Sequence, residues 1–463
     1  MLIPAMIDFI FDDHSWPIFI QSAIITFLIG LSLVLASKQN KKLVLEQRDA
    51  FILTTLSWFV LGALSALPFI LLSTNSLTIT DAFFEAISGL TTTGATVITG
   101  LNSTSKGILL WRSMLQWFGG IGIILIAMSI LPILHIGGMQ LFQSESSDQS
   151  EKILPKVSQV ASFIFGLYCS LTILCGFLLW VVGMSPFNAL CHGLTTMATG
   201  GFSTADSSIA AFDNVWVELI MVFFMSLSGM TFVLIRNVGG RKISVFLQDP
   251  QVRLYFTIII CLTFLVSAWQ IFINEETPLQ AARDSLFQIT SFLTTSGFTS
   301  SNYMAWGSFP ILLILFLSLS GSCTGSTSGG IKLFRIKIMW SLAVVQLKKL
   351  RRPHGVFIAH YNKRALNEHL FISVIGFVSL YIASIVILSI FLTFFNIDIV
   401  TSLSTAISII GNIGPGIGPI IGPEGNFSTL PDAAKWLLMF GMVAGRLELL
   451  TVFALFLPSF WKN

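Results

Sequence analysis

The chain has 463 residues, of which 54% are hydrophobic and only 10% are charged. Soluble domains carry about 25% charged residues, so this composition excludes a typical soluble enzyme. The mean hydropathy of +0.84 favours a lipid bilayer as the solvent for much of the chain. The net charge of +3 is too small to indicate a nucleic-acid partner. The five cysteines are scattered without metal-ligand spacing, so we expect no disulfide framework and no zinc site. We also expect no covalently bound cofactor.

Nine apolar runs have the length of roughly 20 residues that a transmembrane helix needs. The first follows acidic residues instead of a basic segment, so no cleavable signal peptide is predicted. The seventh is interrupted by a glycine-rich stretch. The runs lie near 17–36, 50–72, 108–131, 157–183, 214–236, 251–273, 308–345, 369–395 and 434–457.

Four shorter apolar stretches lie between these runs and resemble one another. Each is a helix-like run followed by a glycine turn, and each has one predicted span before it and one after it. Their pattern predicts a fourfold internal repeat of span, re-entrant helix and span. The stretches are 81–97, 186–204, 280–300 and 398–418, and alignment of their turn glycines gives Gly94, Gly200, Gly297 and Gly414, which are 106, 97 and 117 residues apart.

Glycine turns at membrane depth predict a pore. Non-helical backbone persists in the hydrocarbon region only where it lines water or is buried in protein. A ring of four such turns offers backbone carbonyls that can replace the hydration shell of a monovalent cation, and the short helices point their negative dipole ends at it. Glycine permits the positive φ and the close approach that this geometry needs. The alternative is that the turns only join membrane helices.

These motifs also carry a family resemblance. The chain resembles the Trk/Ktr/HKT superfamily of potassium transporters, and within it the bacterial TrkH/TrkG branch, from Met1 to Asn463. The resemblance implies an all-α polytopic membrane protein of the bacterial inner membrane, which is not an enzyme. Its fold would be four pseudo-symmetric span–pore-helix–span repeats around a central K⁺-selective pore, plus a peripheral N-terminal helix. The matching segments are TTTGATV, ATGGFST, TTSGFTS, GNIGPGIG, LQWFGGIGIILIAMSILPIL, GSCTGSTSGGIKLFR and AGRLELLTVFALFLPSFW.

The resemblance also implies partners and a division of the chain. K⁺ would be the transported ion, the protein would pair as a homodimer in membrane lipid, and a TrkA-type cytoplasmic nucleotide-binding subunit would regulate it. Trk-type proteins usually carry a further complete span, whereas LIPAMIDFIF at Met1 resembles only its end, so either the start is misassigned or this region is shortened. The regions are 1–49 (the peripheral N-terminal helix region), 50–133 (repeat 1), 157–236 (repeat 2), 251–346 (repeat 3), 347–368 (a basic cytoplasmic linker) and 369–460 (repeat 4).

By the same resemblance, twelve residues form the K⁺ selectivity filter and bind the ion. In this superfamily a serine at the first filter position accompanies Na⁺ permeation, whereas this chain has Gly94, which favours K⁺. The twelve are Thr92, Thr93, Gly94, Ala198, Thr199, Gly200, Thr295, Ser296, Gly297, Asn412, Ile413 and Gly414.

The interrupted seventh run predicts a gate. GSCTGSTSGG cannot continue a lipid-facing helix, so this loop should line the conduction path. The resemblance assigns 321–330 as an intramembrane gate in which Gly321, Gly325, Gly329 and Gly330 let a short segment swing aside. The alternative is a static kink.

Arg446 is predicted to lie near mid-membrane, roughly 16 Å along the last span. An arginine at that depth is energetically expensive and is functional by default. We expect it to face the cavity, oppose cation dwell and contact carbonyls of the gate loop; the alternative is a purely structural role. A pair with Glu448 is disfavoured, because residues two apart on a helix do not share a face.

Other charged residues have simpler interpretations. Arg112 beside Trp111 is predicted to mark the membrane interface. His192 is interpreted as a packing residue in preference to a proton carrier. Acidic residues near the starts of the re-entrant helices suit the helix dipole and could attract cations at the outer mouth. These are Asp81, Glu85, Asp284 and Asp398.

The distribution of basic residues predicts the orientation. If the re-entrant loops enter from outside, twenty of the 25 Lys and Arg lie in the inner stretches and the C-terminal tail, as the positive-inside rule requires. The basic stretch 332–355 is either retention charge, a docking surface for a regulatory subunit or a contact to anionic lipid. The inner stretches are 37–49, 132–156, 236–253 and 332–368.

Transport through the pore is the favoured function, with its coupling left open. K⁺ would pass passively or together with H⁺, and a symporter would need a titratable group in the path, for which only His192 and Glu448 qualify. A membrane-embedded enzyme is disfavoured, because the sequence lacks clustered intramembrane His, Asp or Glu at catalytic spacing.

Overall fold

The computed structural model describes residues 1–37, 47–72, 77–129, 157–232, 248–361, 364–366 and 368–461. Within them the chain is mostly helical, with one two-stranded antiparallel hairpin of β1 (His360–Tyr361) and β2 (Arg364–Ala365). The α-helices are α1 (Leu2–Ile10), α2 (Trp16–Ala36), α3 (Gln47–Leu71), α4 (Ile79–Leu90), α5 (Lys106–Ser129), α6 (Val157–Val181), α7 (Pro186–Met197), α8 (Val215–Ser228), α9 (Pro250–Ile273), α10 (Pro278–Leu293), α11 (Ser308–Leu319), α12 (Leu333–Arg351), α13 (Glu368–Phe394), α14 (Ile399–Gly411), α15 (Asp432–Arg446), α16 (Leu450–Ala454) and α17 (Pro458–Trp461).

The four short helices α4, α7, α10 and α14 begin at residues that favour helix starts. Thr78 forms a capping box with Asp81, and Ser185 and Asp398 accept hydrogen bonds from backbone amides of their first turns. Hydrogen bonds from the side chain and backbone of Thr401 lower the pKa of Asp398, which keeps this exposed carboxylate ionised at the positive end of α14. Proline at the first helical position reinforces the starts of α7 and α10.

The short helices and the long helices around them close into a ring. Each short helix packs against the helix before it, namely α3, α6, α9 or α13. The helix after each short helix packs against the short helix of the next repeat: α5 on α7, α8 on α10, α11 on α14, and α15 back on α4. The predicted all-α fold is therefore confirmed, and these contacts follow the order of the four predicted repeats; α1 and α2 lie outside the ring against α5 and α3.

Two ion pairs join neighbouring repeats on this ring. The Lys435 Nζ of α15 lies 2.6 Å from the Asp81 carboxylate of α4, and Arg283 of α10 donates to both oxygens of Glu218 of α8 at 2.7 and 2.6 Å. Bidentate Arg–carboxylate pairs fix orientation as well as distance. The capping box agrees with the prediction that Asp81 suits the helix dipole, whereas its pairing with Lys435 neutralises the charge that was expected to attract cations.

Six helices in the described part of the chain are long and apolar enough to cross a membrane: α2, α3, α5, α6, α9 and α13. The predicted spans at 214–236, 308–345 and 434–457 contain shorter helices. The helix break after Leu319 agrees with the predicted interruption of the seventh run. The end of α15 at Arg446 differs from the predicted continuous span, because Glu448 and Leu449 both have positive φ and cannot continue the helix. Most of the inner stretches 37–49, 132–156 and 236–253 lie outside the described residues.

Glycine lets α5 approach the end of α4. A Cβ on Gly119 would overlap the Leu90 carbonyl, whereas a Cβ on Gly122 of the same helix would meet nothing within 4 Å. We expect Gly119→Ala to destabilise the protein by about 1–3 kcal/mol through overpacking. Gly122→Ala is the matched control and should be neutral or stabilising by about 0.5–1 kcal/mol, because alanine favours helix. Thermal unfolding of detergent-solubilised protein measures both, and equal effects would contradict the close approach.

Candidate selectivity filter and gate

The four short helices end in the same hydrogen-bonded motif. Past each helix, one backbone N–H donates to a carbonyl three residues earlier and the next N–H donates to a carbonyl five residues earlier, which is the Schellman motif. The first of these two donor residues lies in the left-handed region. Those residues are Thr92 (φ 52°), Thr199 (φ 50°), Thr295 (φ 54°) and Asn412 (φ 54°).

A glycine with positive φ lies two positions after each left-handed residue. Each of these four glycines packs against the backbone of the turn in the next repeat. A Cβ on any of them would collide with a backbone carbonyl oxygen of the following repeat, so only glycine fits. The contacts run in one direction and close on themselves: Gly94 to Gly200 O, Gly201 to Ser296 O, Gly297 to Ile413 O, and Gly414 to Thr93 O. The four glycine turns therefore form a single ring of backbone.

The ring corrects the predicted alignment of the second repeat by one residue. Gly201, with φ of 81°, is the equivalent of Gly94, Gly297 and Gly414, and the glycines are separated by 107, 96 and 117 residues. Gly200 instead aligns with Thr93, Ser296 and Ile413. The second turn is thus Thr199–Gly201, and Ala198 belongs to the end of its helix. Two adjacent glycines hid this register in the sequence, and the Schellman bonds, the positive φ of Gly201 and its contact with the Ser296 carbonyl resolve it.

Side chains fix three of the turns directly. The hydroxyls of Thr91 and Thr93 lie 2.7 Å apart in the first turn. Thr294 and Ser296 make the equivalent contact at 2.9 Å in the third turn. In the fourth, the Asn412 amide donates to the Thr93 hydroxyl and to the Met442 carbonyl, both at 2.9 Å, which joins the fourth repeat to the first.

A buried ion pair braces the backbone that leaves the first two turns. Glu85 of α4 and Arg112 of α5 are both buried, and Arg112 Nε lies 2.6 Å from the Glu85 carboxylate. Glu85 also accepts from the Val97 N–H at 3.0 Å, while Arg112 donates to the Ser203 carbonyl at 3.1 Å. The interpretation of Arg112 as an interfacial marker is therefore wrong, because its charge is neutralised behind the turns; Glu85, likewise, does not face the outer mouth.

His192 occupies in α7 the place that Glu85 occupies in α4, nine residues before the turn glycine. Its Nδ1 lies 2.8 Å from the Asn188 carbonyl and its Nε2 lies 3.0 Å from the Ser203 hydroxyl. Both ring nitrogens are thus engaged, one with the backbone of its own helix and the other with the side chain of a residue after the turn, which agrees with a packing role.

The predicted gate loop, 321–330, lies where the short helices lead into the ring. The Gly329 N–H donates to the Thr295 hydroxyl at 2.7 Å, and a Cβ on Gly329 would overlap the Gly411 carbonyl. The Thr327 hydroxyl reaches the carbonyl of Met197 at 3.4 Å. The loop therefore touches the second, third and fourth short helices or their turns at once.

Buried basic side chains hold this loop. Arg446 donates through Nη1 to the Thr327 carbonyl at 2.8 Å, so the predicted contact between Arg446 and a loop carbonyl is present. Its Nε and Nη2 have no hydrogen-bond partner among the described residues, which leaves charge directed into the cavity beside the loop. Lys332 folds back from the other side onto the carbonyl and hydroxyl of Ser328.

Glu448 pairs with Arg335 of α12 instead of Arg446. The guanidinium of Arg335 also lies over the Phe377 ring, 3.7 Å from its centroid. This cluster joins the start of α12 to the break after α15. The sequence offered no signal for it, because the two residues are 113 positions apart.

Comparisons with known proteins agree with this geometry. The family model described as "TrkH: Cation transport protein" matches residues 15–463. The chain belongs to the TrkH family. It is 36% identical to the "Trk system potassium uptake protein TrkH" of Escherichia coli (strain K12), over 100% of this chain and 96% of the relative, and 37% identical to the "Trk system potassium uptake protein TrkI" of Halomonas elongata, over 95% and 90%.

A solved structure shows the same fold. The crystal structure of the potassium transporter TrkH from Vibrio parahaemolyticus superimposes with a TM-score of 0.91 at 34% identity, over 100% of this chain and 96% of that one. Members of the TrkH family are transporters and not enzymes. Together with the six apolar helices, this membership makes the chain a multi-pass protein of the bacterial inner membrane.

The Glu85–Arg112 pair allows a direct test of the bracing. Glu85→Gln leaves Arg112 buried without its counter-charge, which we expect to cost about 3–5 kcal/mol. The loss should appear as a lower midpoint of thermal unfolding in detergent. Glu424→Gln, at an exposed carboxylate, is the control and should change little. The double variant with Arg112→Met should lose less than the two single losses combined, and strict additivity would contradict a coupled pair.

Proposed function

We propose that this TrkH-family chain takes up K⁺ through a gated pore whose selectivity filter is the ring of four glycine turns. The observation that carries the proposal is the closed cycle of contacts from Gly94, Gly201, Gly297 and Gly414 to the carbonyls of the next repeat. It brings backbone from all four repeats around one axis, where carbonyl oxygens can replace the hydration shell of a monovalent cation. The family resemblance and the names of the relatives supply the identity of the ion.

The filter residues follow the register of the ring. They are the three residues that begin with the left-handed position in each turn: Thr92–Gly94, Thr199–Gly201, Thr295–Gly297 and Asn412–Gly414. Asn412 carries the one side-chain amide among the left-handed positions, and it links two turns by its bond to Thr93. The filter is therefore chemically asymmetric although its backbone repeats four times.

We further propose that the loop 321–330 is the gate and that the structure corresponds to its closed position. Its support comes from the bonds of Gly329 to Thr295, Thr327 to Met197 and Thr327 to Arg446, which place it across the inner ends of the ring. Opening would break these bonds and move the loop away from the axis. The unpaired nitrogens of Arg446 would repel a cation that waits beneath the filter.

The contacts support passive permeation of K⁺ without coupling to H⁺. The two candidate proton carriers are both engaged, His192 with Asn188 and Ser203 and Glu448 with Arg335. A proton symporter would need one of them free to titrate in the path. Reversal potentials measured at several K⁺ and pH gradients separate the two mechanisms.

A cytoplasmic regulatory subunit would dock on a smaller surface than the basic stretch 332–355 suggests. Lys332 and Arg335 are buried against the gate loop and Glu448, so they are unavailable to a partner. The exposed end of α12 retains Lys348, Lys349 and Arg351. We propose this end as the contact for a TrkA-type nucleotide-binding subunit; homodimer formation stays a prediction from the resemblance.

Ion flux tests the filter. Wild-type protein reconstituted with its regulatory subunit should take up Rb⁺ above the level of empty vesicles and should prefer it to Na⁺. Gly201→Ser forces a side chain into a left-handed position against the Ser296 carbonyl, a strain of about 1–2 kcal/mol, and should lower the Rb⁺ over Na⁺ flux ratio about tenfold. Gly166→Ser, where a Cβ meets nothing within 4 Å, is the control.

Two results would contradict these assignments separately. Wild-type Rb⁺ flux equal to that of empty vesicles would reject transport through the pore. A wild-type flux ratio in Gly201→Ser, at normal expression, would reject Gly201 as a filter glycine while leaving transport intact.

The gate predicts that weakening the loop's contacts raises flux. Thr231 donates to the Thr324 carbonyl at 2.6 Å and lies outside the filter. Thr231→Val removes this hydrogen bond at nearly constant volume and should raise basal Rb⁺ flux about fivefold, the effect of roughly 1 kcal/mol on a two-state equilibrium. Arg446→Gln should raise it as well. Thr263→Val, at a hydroxyl without a partner, is the control; unchanged or lower flux in both variants at intact expression would refute the gate.

A further inference from the structure

We infer that Gln116 is a positioning residue that sets the shape of the second filter turn and thereby the ion selectivity of the ring. Gln116 lies on α5 of the first repeat and is fully buried. The inference rests on the proposed filter and assigns to it a side chain from outside the four turns.

The amide of Gln116 spans the second turn with both of its polar atoms. Its Nε2 donates to the Gly200 carbonyl at 2.5 Å, and its Oε1 accepts from the Phe202 N–H at 3.1 Å. These two groups belong to the peptide planes on either side of Gly201. One side chain therefore fixes both planes of the glycine that contacts the Ser296 carbonyl in the third repeat.

The second turn is the one that needs such support. It is the only one of the four turns with two successive glycines, and glycine has the greatest backbone freedom of any residue. The first and third turns are fixed by hydroxyl pairs, Thr91 with Thr93 and Thr294 with Ser296. The corresponding positions of the second turn are Ala198 and Gly200, which have no hydroxyl to contribute. Gln116 supplies from another repeat the constraint that the second turn lacks.

Gly200 and Gln116 also complement each other in space. A Cβ on Gly200 would collide with the side chain of Gln116, because that Cβ would lie only 2.8 Å from the Gln116 amide nitrogen. The glycine at 200 thus admits the amide, and the amide in turn orients the glycine. A serine at this position would displace Gln116 even though Ser296 occupies the equivalent position in the third turn.

A carbonyl oxygen has two lone pairs, so the Gly200 carbonyl can accept from Gln116 and still direct the other lone pair elsewhere. Loss of the amide would let the two peptide planes rotate. A loosened ring discriminates less between cations of different size, because coordination distances are no longer fixed. The expected signature is a change in selectivity at retained flux, which a general loss of stability would not produce.

The test compares Gln116→Met with wild type in proteoliposomes. Methionine keeps the length of the side chain and loses both hydrogen bonds. We expect the Rb⁺ over Na⁺ flux ratio to fall about fivefold, which corresponds to a combined contribution of about 1 kcal/mol from the two lost hydrogen bonds, while Rb⁺ flux per reconstituted protein stays within about twofold of wild type. Gln116→Glu, which keeps the acceptor for Phe202 and loses the donor to Gly200, should give an intermediate ratio.

Gln270→Met is the matched control. Gln270 is a buried glutamine of α9 whose amide contacts Asn274 instead of a turn, so its substitution should leave the ratio unchanged. A wild-type ratio in Gln116→Met would overturn the inference, and so would an equal fall in Gln270→Met. Absence of Rb⁺ flux in the wild-type protein would reject the proposed function itself. Wild-type flux with an unchanged ratio in Gln116→Met would reject only the role of Gln116.

A double-variant cycle provides a second, independent result. Gly200→Ser should lower the flux ratio in the wild-type background because the new side chain displaces Gln116. In the Gln116→Ala background the space is free, so the same substitution should lower the ratio less. Equal effects in the two backgrounds would contradict the complementary packing of these residues.

Discussion

The close contact between each turn glycine and a backbone carbonyl of the next repeat is the constraint on which the rest of the structure depends. It admits no Cβ at Gly94, Gly201, Gly297 or Gly414, and it demands positive φ at each. Non-helical backbone inside a membrane protein must be buried or hydrated. The Schellman bonds satisfy the helix ends, and the ring packs the turns against one another, so four irregular segments become one stable unit.

The bracing around this ring repeats in position but varies in chemistry. Nine residues before the turn glycine, Glu85 pairs with Arg112, and at the same place His192 bonds to Ser203. Both side chains bond to a residue that follows a turn, Glu85 to Val97 and His192 to Ser203. Repeated positions filled by different chemistry indicate that the backbone shape is the common requirement, whereas the side chains that hold it have diverged between repeats. The loop 321–330 then adds a single asymmetric element, held by Arg446 and Lys332.

Much of this architecture could be predicted from sequence because it is periodic. Apolar runs of membrane length and four glycine-ended stretches gave the fold class, and GSCTGSTSGG gave the break before α12. The register of the second turn was wrong by one residue, since Gly200 and Gly201 are equivalent by composition and differ only in φ and contacts. Arg112 was misplaced because proximity to Trp111 is a local signal, while its partner Glu85 lies 27 residues away. The Arg335–Glu448 pair and the Gln116 contacts bridge still longer separations, which local patterns do not encode.

The two successive glycines of the second turn increase its backbone freedom, which accounts for its contact with a side chain from another repeat. A turn with Thr93 or Ser296 before its glycine carries a hydroxyl pair of its own that fixes this position. A turn with Gly200 in that place gains room but loses the lock, and the room is what allows Gln116 to approach. Local freedom in one repeat is thus compensated by a side chain from its neighbour. This compensation makes adjacent repeats interdependent, because a change in α5 is transmitted to the shape of the second turn without altering any residue within it.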